Sequence, residues 1–220
     1  MHNKDGVGEV RLTDSQVSKM IELSKERPSV YFLFRLMGLR GFRVSAITGD
    51  RAKDISYQAM EKFQNPDGSL GLRFKMQKKH YPAEPGLLKE DVTREGVWVH
   101  WKGQGSQFKY LSPELARDLF EYSSGLKKGE RIVPFTRQRA YQLTLEYAKL
   151  AGVDHWQRVH PHRFRHFFGT SYARKTARDP WKVKSLMGHK DLRSTATYVE
   201  ELSPEEEQDA LAQGDKLVSG

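Results

Sequence analysis

Residues 160–166 read His-Pro-His-Arg-Phe-Arg-His, and phenylalanines follow at 167 and 168. Three histidines and two arginines within seven positions repel one another, so the arrangement is favourable only against an anion. Read as the start of a helix, the stretch places His162, Arg165 and His166 at i, i+3 and i+4, on one face. Phe164, Phe167 and Phe168 form a neighbouring face that can be buried. The chain must therefore fold so that this helix is anchored in a core while presenting His162 and Arg165 together. A phosphate suits that pair, because a guanidinium can grip two of its oxygens. The spacing of His162 and His166 is also that of helical zinc ligands. A zinc protease would need Glu beside the first histidine, and Arg163 stands there, so no metal is expected.

The rest of the composition agrees with a folded, polyanion-binding chain. There are 220 residues, enough for one large domain or two small ones. Eleven Phe, nine Tyr and four Trp are too many aromatics for a disordered chain. A net charge of +9 favours nucleic acid as partner. The absence of cysteine excludes disulfides, thiolate metal sites and a cysteine nucleophile, and fits a cytoplasmic, intracellular setting. No apolar run is long enough to span a membrane, and MHNKDGVGEVRLTD carries no apolar signal core.

Along the chain, residues 1–10 read as a flexible tail. LTDSQVSKMIELSKE reads as a helix, with Thr13 and Gln16 forming a capping box and Val17, Met20 and Ile21 an apolar stripe. VYFLFRLMGL is a second helical stretch. In the middle, GLRFKM reads as a strand and VWVHWKGQGSQFKYL as a hairpin turning at GQGS, with QKKHYPAEPGLLKED between them as a loop or insertion. Helical patterns return at SPELARDLFEY and at TRQRAYQLTLEYAKLAGV, which ends at Gly152. Asp179, Pro180 and Gly188 bracket a short helix, and Ser203, Pro204 and Glu206 open another. The fold class is thus α+β and mainly α-helical, with one small antiparallel sheet.

MGHKDLRSTATYV places His189 after the helix-ending Gly188 and Tyr198 nine residues beyond that histidine. Together with GFRVS, HWKGQG and HRFRH, these segments resemble the tyrosine recombinases, or phage-type integrases. Their signature runs Arg in a G-x-R-x-S-like segment, Lys in a β-hairpin turn, H-x-x-R-H, G-H and Tyr. The resemblance covers residues 11–215 and implies a catalytic domain over 11–202, with a sheet of about three strands at one edge. It places the catalytic set at Arg43, Lys102, His162, Arg165, His189 and Tyr198. Arg40 is a rival for Arg43, and Lys75, Lys78 and Lys79 are rivals for Lys102. The spacing from Ser45 to Asp54-Ile55 fits the family, whereas the interval from Asp54 to Lys102 is long and suggests an inserted loop. Ala46 stands where the family has an acidic residue supporting the arginine.

The resemblance implies site-specific DNA cleavage and rejoining through a 3′-phosphotyrosine, with no metal, ATP or other cofactor. Tyr198 would be the nucleophile, and Arg43 and Arg165 would clamp the phosphate with a further hydrogen bond from His189. His162 would accept or relay a proton, Lys102 would protonate the departing 5′ oxygen, and His166 would support them. Arg137, Arg139, Arg163, Arg174, Lys175 and Lys190 are candidate phosphate contacts. The expected partners are double-stranded DNA and further copies of the chain, a dimer on a site and a tetramer in synapsis. Residues 203–220, a C-terminal helix and tail, would dock on a neighbouring protomer. The resemblance begins near residue 11 and does not include the family's separate N-terminal DNA-binding domain, so the chain is expected to be either a catalytic fragment or a minimal form, with a half-clamp and weak DNA binding. The alternatives are a type IB topoisomerase, where Lys typically replaces His162, and a non-catalytic DNA-binding module.

Overall fold

The computed structural model describes residues 10–51, 53–64, 69–81, 83–101, 105–175, 179–188 and 195–196. Those up to Arg165 belong to one compact unit, and those from His166 to a second. Seven α-helices are described: α1 (Asp14–Leu23), α2 (Pro28–Arg40), α3 (Val44–Thr48), α4 (Pro113–Ser124), α5 (Arg137–Leu150), α6 (Pro161–Lys175) and α7 (Pro180–Met187). Four strands accompany them: β1 (Lys53–Gln64), β2 (Leu70–Tyr81), β3 (Gly96–Trp101) and β4 (Gly105–Tyr110). Among the described residues no helix is long and apolar enough to cross a membrane.

The core of the first unit is built around α2. Its residues from Phe32 to Gly38 are all buried, as a helix apolar around its whole circumference must be. Phe34 stacks on Phe164 of α6 at 5.3 Å and meets Tyr147 of α5 edge-on at 5.2 Å. Gly38 lets neighbouring side chains close in: a Cβ there would lie 3.1 Å from Val17 of α1 and 3.2 Å from Phe164. Arg35 is the charged exception, and it is paired with Asp118 of α4 at 2.7 Å. Burial acts to raise the Asp118 pKa, but hydrogen bonds from Arg35 and Arg117 outweigh it and hold the carboxylate below its usual range.

The local signals behave as the sequence predicts. Thr13 and Gln16 exchange capping-box hydrogen bonds at the start of α1. Asp179 accepts from the amides of Trp181 and Lys182 to start α7, and Gly188 ends it in the left-handed conformation. In the second unit Phe168 and Ala173 of α6 pack with Val183 and Met187 of α7.

The mainly helical chain with antiparallel β structure is as expected, but the strands are arranged differently. Instead of one three-stranded sheet there are two separate antiparallel pairs, β1 with β2 and β3 with β4. The stretch 53–64, which carried no strand expectation, is β1. QKKHY, expected to be loop, is the end of β2, and Asp54-Ile55 lies at the start of β1. The physical reason is that Met60, Leu70, Leu72 and Met76 stay exposed. Apolar residues that stay exposed have no buried face to impose alternation on them, so this part of the sequence shows little period of two.

This long hairpin is closed at its base. Asp50 and Glu84 exchange both backbone hydrogen bonds, at 3.0 and 2.9 Å, and the Leu87 amide donates to Ile47 O at 3.0 Å. The chain thus leaves and re-enters the helical core at adjoining points. Gly49 and Gly86 make that approach possible. At Gly86, with φ +84°, a Cβ would lie 2.7 Å from Gly49 N and 2.8 Å from Ile47 O. Gly129 has the same φ but nothing within 4 Å of its Cβ position. We therefore expect Gly129→Ala to cost only about 1 kcal/mol from backbone strain. Gly86→Ala adds the backbone clash and should cost at least about twice that. Denaturant unfolding of the two variants measures the difference, and equal losses would show that the hairpin base is not closed as described.

Candidate active site

The site is assembled where α2 ends. Gly41 takes the left-handed conformation, φ 67° and ψ 24°, and caps α2. The turn buries Phe42 and leaves Arg43 exposed just ahead of α3. On the other side, Phe164 locks α6 into the core. The residues around it then divide by helical spacing. His162 is exposed, whereas Arg165 is only 3% exposed. A buried guanidinium needs partners. Arg165 Nη1 donates to Gly41 O at 2.5 Å, tying α6 to the turn that carries Arg43.

A cleft of about 390 Å³ opens between these segments. Arg43, His162 and Arg165 all line it, together with Ser45 at the start of α3. Three of the six residues in the expected catalytic set therefore share one cavity. Lys102, His189 and Tyr198 lie outside the described residues. Arg40 is not part of the lining; its Nε donates to Tyr110 O at 2.8 Å, and its guanidinium sits over the Phe42 ring at 5.7 Å. His166 is half-buried and does not line the cleft either. Of the rival lysines, Lys75 is on β2 and ion-pairs with Glu61 of β1 at 3.6 Å.

The cleft holds more than the signature residues. Tyr141 of α5 and His160 also line it. The rings of Tyr141, His160 and His162 lie nearly parallel in succession, with centroids 6.4 and 6.3 Å apart. His160 was visible in the sequence as part of the cation cluster but carried no assigned role. Arg137, the first residue of α5, was expected only as a general phosphate contact. It lines the cleft, and its Nη1 lies 3.6 Å from Asp50 Oδ2, at the base of the long hairpin. Sequence spacing could not show this, because the two residues meet only through the closure of that hairpin.

Chemically, the described part of the cleft is an anion receptor. Three guanidinium groups and two imidazoles line a cavity large enough for a phosphate and part of its chain. Arg165 is fixed by burial and by its bond to Gly41, so its orientation is set before any ligand arrives.

Comparison with known proteins places this arrangement. The phage integrase family's sequence profile matches residues 87–204, beginning just after the long hairpin closes. A tyrosine recombinase of Pseudothermotoga lettingae is 23% identical over 194 residues, which are 86% of this chain and 55% of that protein. The chain thus spans about half the length of that relative. The crystal structure of XerA recombinase superposes with a TM-score of 0.63 at 16% identity, over 94% of this chain and 66% of that one. XerH site-specific recombinase, in a pre-cleavage complex with its difH substrate, gives 0.59 at 14% identity over 96% of this chain and 56% of that one. Both show the same fold, and the family match covers just over half of the residues. From its sequence, this chain belongs to the phage integrase family, the tyrosine recombinases.

Proposed function

We propose that this chain cuts and rejoins double-stranded DNA at a specific site through a 3′-phosphotyrosine intermediate. The observation that carries the reading is the convergence of Arg43, His162 and Arg165 on one cleft. In the proposed reaction Tyr198 Oη attacks the scissile phosphorus, and the bond from phosphorus to the 5′ oxygen breaks. Negative charge builds on the non-bridging oxygens, where Arg43, Arg165 and His189 stabilise it. A tyrosine hydroxyl is a poor nucleophile at neutral pH, since its ordinary pKa is about 10. His162 takes or relays its proton, and the neighbouring cations favour the phenolate. Lys102 gives a proton to the leaving 5′ oxygen. The phosphodiester's free energy is kept in the phosphotyrosine bond, so attack by a 5′ hydroxyl reseals the strand without ATP or a metal ion.

Double-stranded DNA is the partner, with a dimer on each site and a tetramer when two sites synapse. Cytoplasmic action on DNA follows from that substrate. The catalytic domain spans 11–202, and residues 203–220 dock on a neighbouring protomer.

The test is trapping on nicked duplexes that let the cleaved end diffuse away, drawn from DNA flanking the coding region and from a randomised pool. A protein–DNA adduct that survives denaturation supports the reading. No adduct across the pool, with DNA binding intact, leaves a non-catalytic binding module. Relaxation of any supercoiled plasmid regardless of sequence would instead identify a type IB topoisomerase activity.

A further inference from the structure

The hairpin β3–β4 has one face turned to the core and one turned outward. Register pairs Val97 with Lys109 and Val99 with Gln107, while Trp98 pairs with Phe108 and Gly96 with Tyr110. Paired residues share a face. Val97 and Val99 are buried, whereas Trp98 is 44% and Tyr110 68% exposed. Lys109 is therefore on the inward face, where a lysine is out of place. It is half-buried, and among the described residues no carboxylate pairs with it.

Its surroundings are cationic. Arg40 is bonded to the carbonyl of Tyr110, the residue after Lys109. Arg165 is bonded to the carbonyl of Gly41, the residue after Arg40. These two hydrogen bonds tie Arg40 to the backbone beside Lys109 and Arg165 to the backbone beside Arg40, and the charges of both arginines act on Lys109. Burial lowers the Lys109 pKa, and the charges of Arg40 and Arg165 lower it further. An ammonium held beside two guanidiniums gains nothing from the protein for its charge. An anion seated among the three would reverse that.

We infer that Arg40, Lys109 and Arg165 form a seat for a DNA backbone phosphate, in which Lys109 places its ammonium on a phosphate oxygen. Lys109 is thereby a substrate-contacting lysine distinct from Lys102. The inference rests on the reading of the chain as a DNA-acting enzyme, but not on its cutting DNA.

The experiment measures binding of the full chain to a short duplex of arbitrary sequence over a range of salt, for the wild type, Lys109→Met and Lys109→Arg. Each phosphate contact contributes about 0.9 to the slope of log affinity against log salt. Lys109→Met should lower that slope by about one. Lys109→Arg should keep it, and thermal unfolding should show Lys109→Met at least as stable as the wild type. An unchanged slope for Lys109→Met overturns the inference, whatever happens to cleavage. Should the wild type form no covalent adduct while Lys109→Met still loses the slope, the phosphate seat stands and the recombinase reading falls. Absence of DNA binding by the wild type removes both.

Discussion

Tyr198→Phe is expected to abolish the denaturation-resistant adduct on a nicked duplex, and to leave DNA affinity and its salt dependence unchanged. The substitution removes one oxygen, the atom that in the proposed reaction bonds to phosphorus, so no weaker version of the same step should survive. Affinity should be retained, because on this proposal it comes from phosphate contacts made by cations elsewhere in the chain. Electrophoresis under denaturing conditions reads the first outcome, and a salt titration of binding reads the second. An adduct persisting in the variant at the wild-type rate would move the nucleophile to another residue. Loss of binding together with the adduct would make Tyr198 a packing residue instead.

The second large effect is expected at two of the cleft's three arginines, Arg43 and Arg165. Removing one fixed donor to a developing oxyanion costs on the order of 10²–10³ in rate. Arg43→Ala tests this with little risk to folding, because Arg43 is exposed. Single-turnover cleavage should fall by about that factor while unfolding is unchanged. Arg165→Ala should be at least as slow, and also less stable, because Arg165 is buried and its Nη1 bonds Gly41 O. Arg165→Lys separates the two losses: it restores a charge but not the fork that reaches Gly41 and a phosphate together. If both arginines hold one phosphate, as proposed, the double variant should be slowed less than the product of the single effects. Full multiplicative losses would indicate that the two guanidiniums act on separate groups.

The long hairpin has a feature with consequences at the cleft. The Asp50 carboxylate at its base holds Arg137, which lines the same cavity as Arg43 and Arg165. A phosphate entering the cleft meets an arginine already engaged by an acid. The family match begins only at residue 87, where the hairpin has closed, although Arg43 lies before it. In the folded chain Gly49 and Gly86 bring the two ends of the hairpin together, so Arg43 and the residues after the hairpin meet at one cleft.

Much of this chain was legible as sequence, and the reason is that the readable signals are local. The capping box of Thr13 and Gln16, the Asp179-Pro180 start and the Gly188 end act within one turn of helix, so they need no tertiary partner to be recognised. The pairing of His162 with Arg165 and the anchoring of their helix by Phe164 follow from a repeat of 3.6 residues. The signature segments gave the family by residue type and order. Only the folded chain decided the rest. It buried Arg165 against Gly41 O, which spacing along one helix cannot reveal, and it chose Arg43 over Arg40 as the lining residue. It also paired residues 53–64 with 70–81 in a ribbon with exposed apolar residues, a strand arrangement that leaves little period in the sequence. Lys109 joined Arg40 and Arg165 by the register of β3 against β4 and by two hydrogen bonds to backbone carbonyls. Contacts of that kind depend on backbone atoms, which every residue carries alike, and so they leave no mark in the order of side chains.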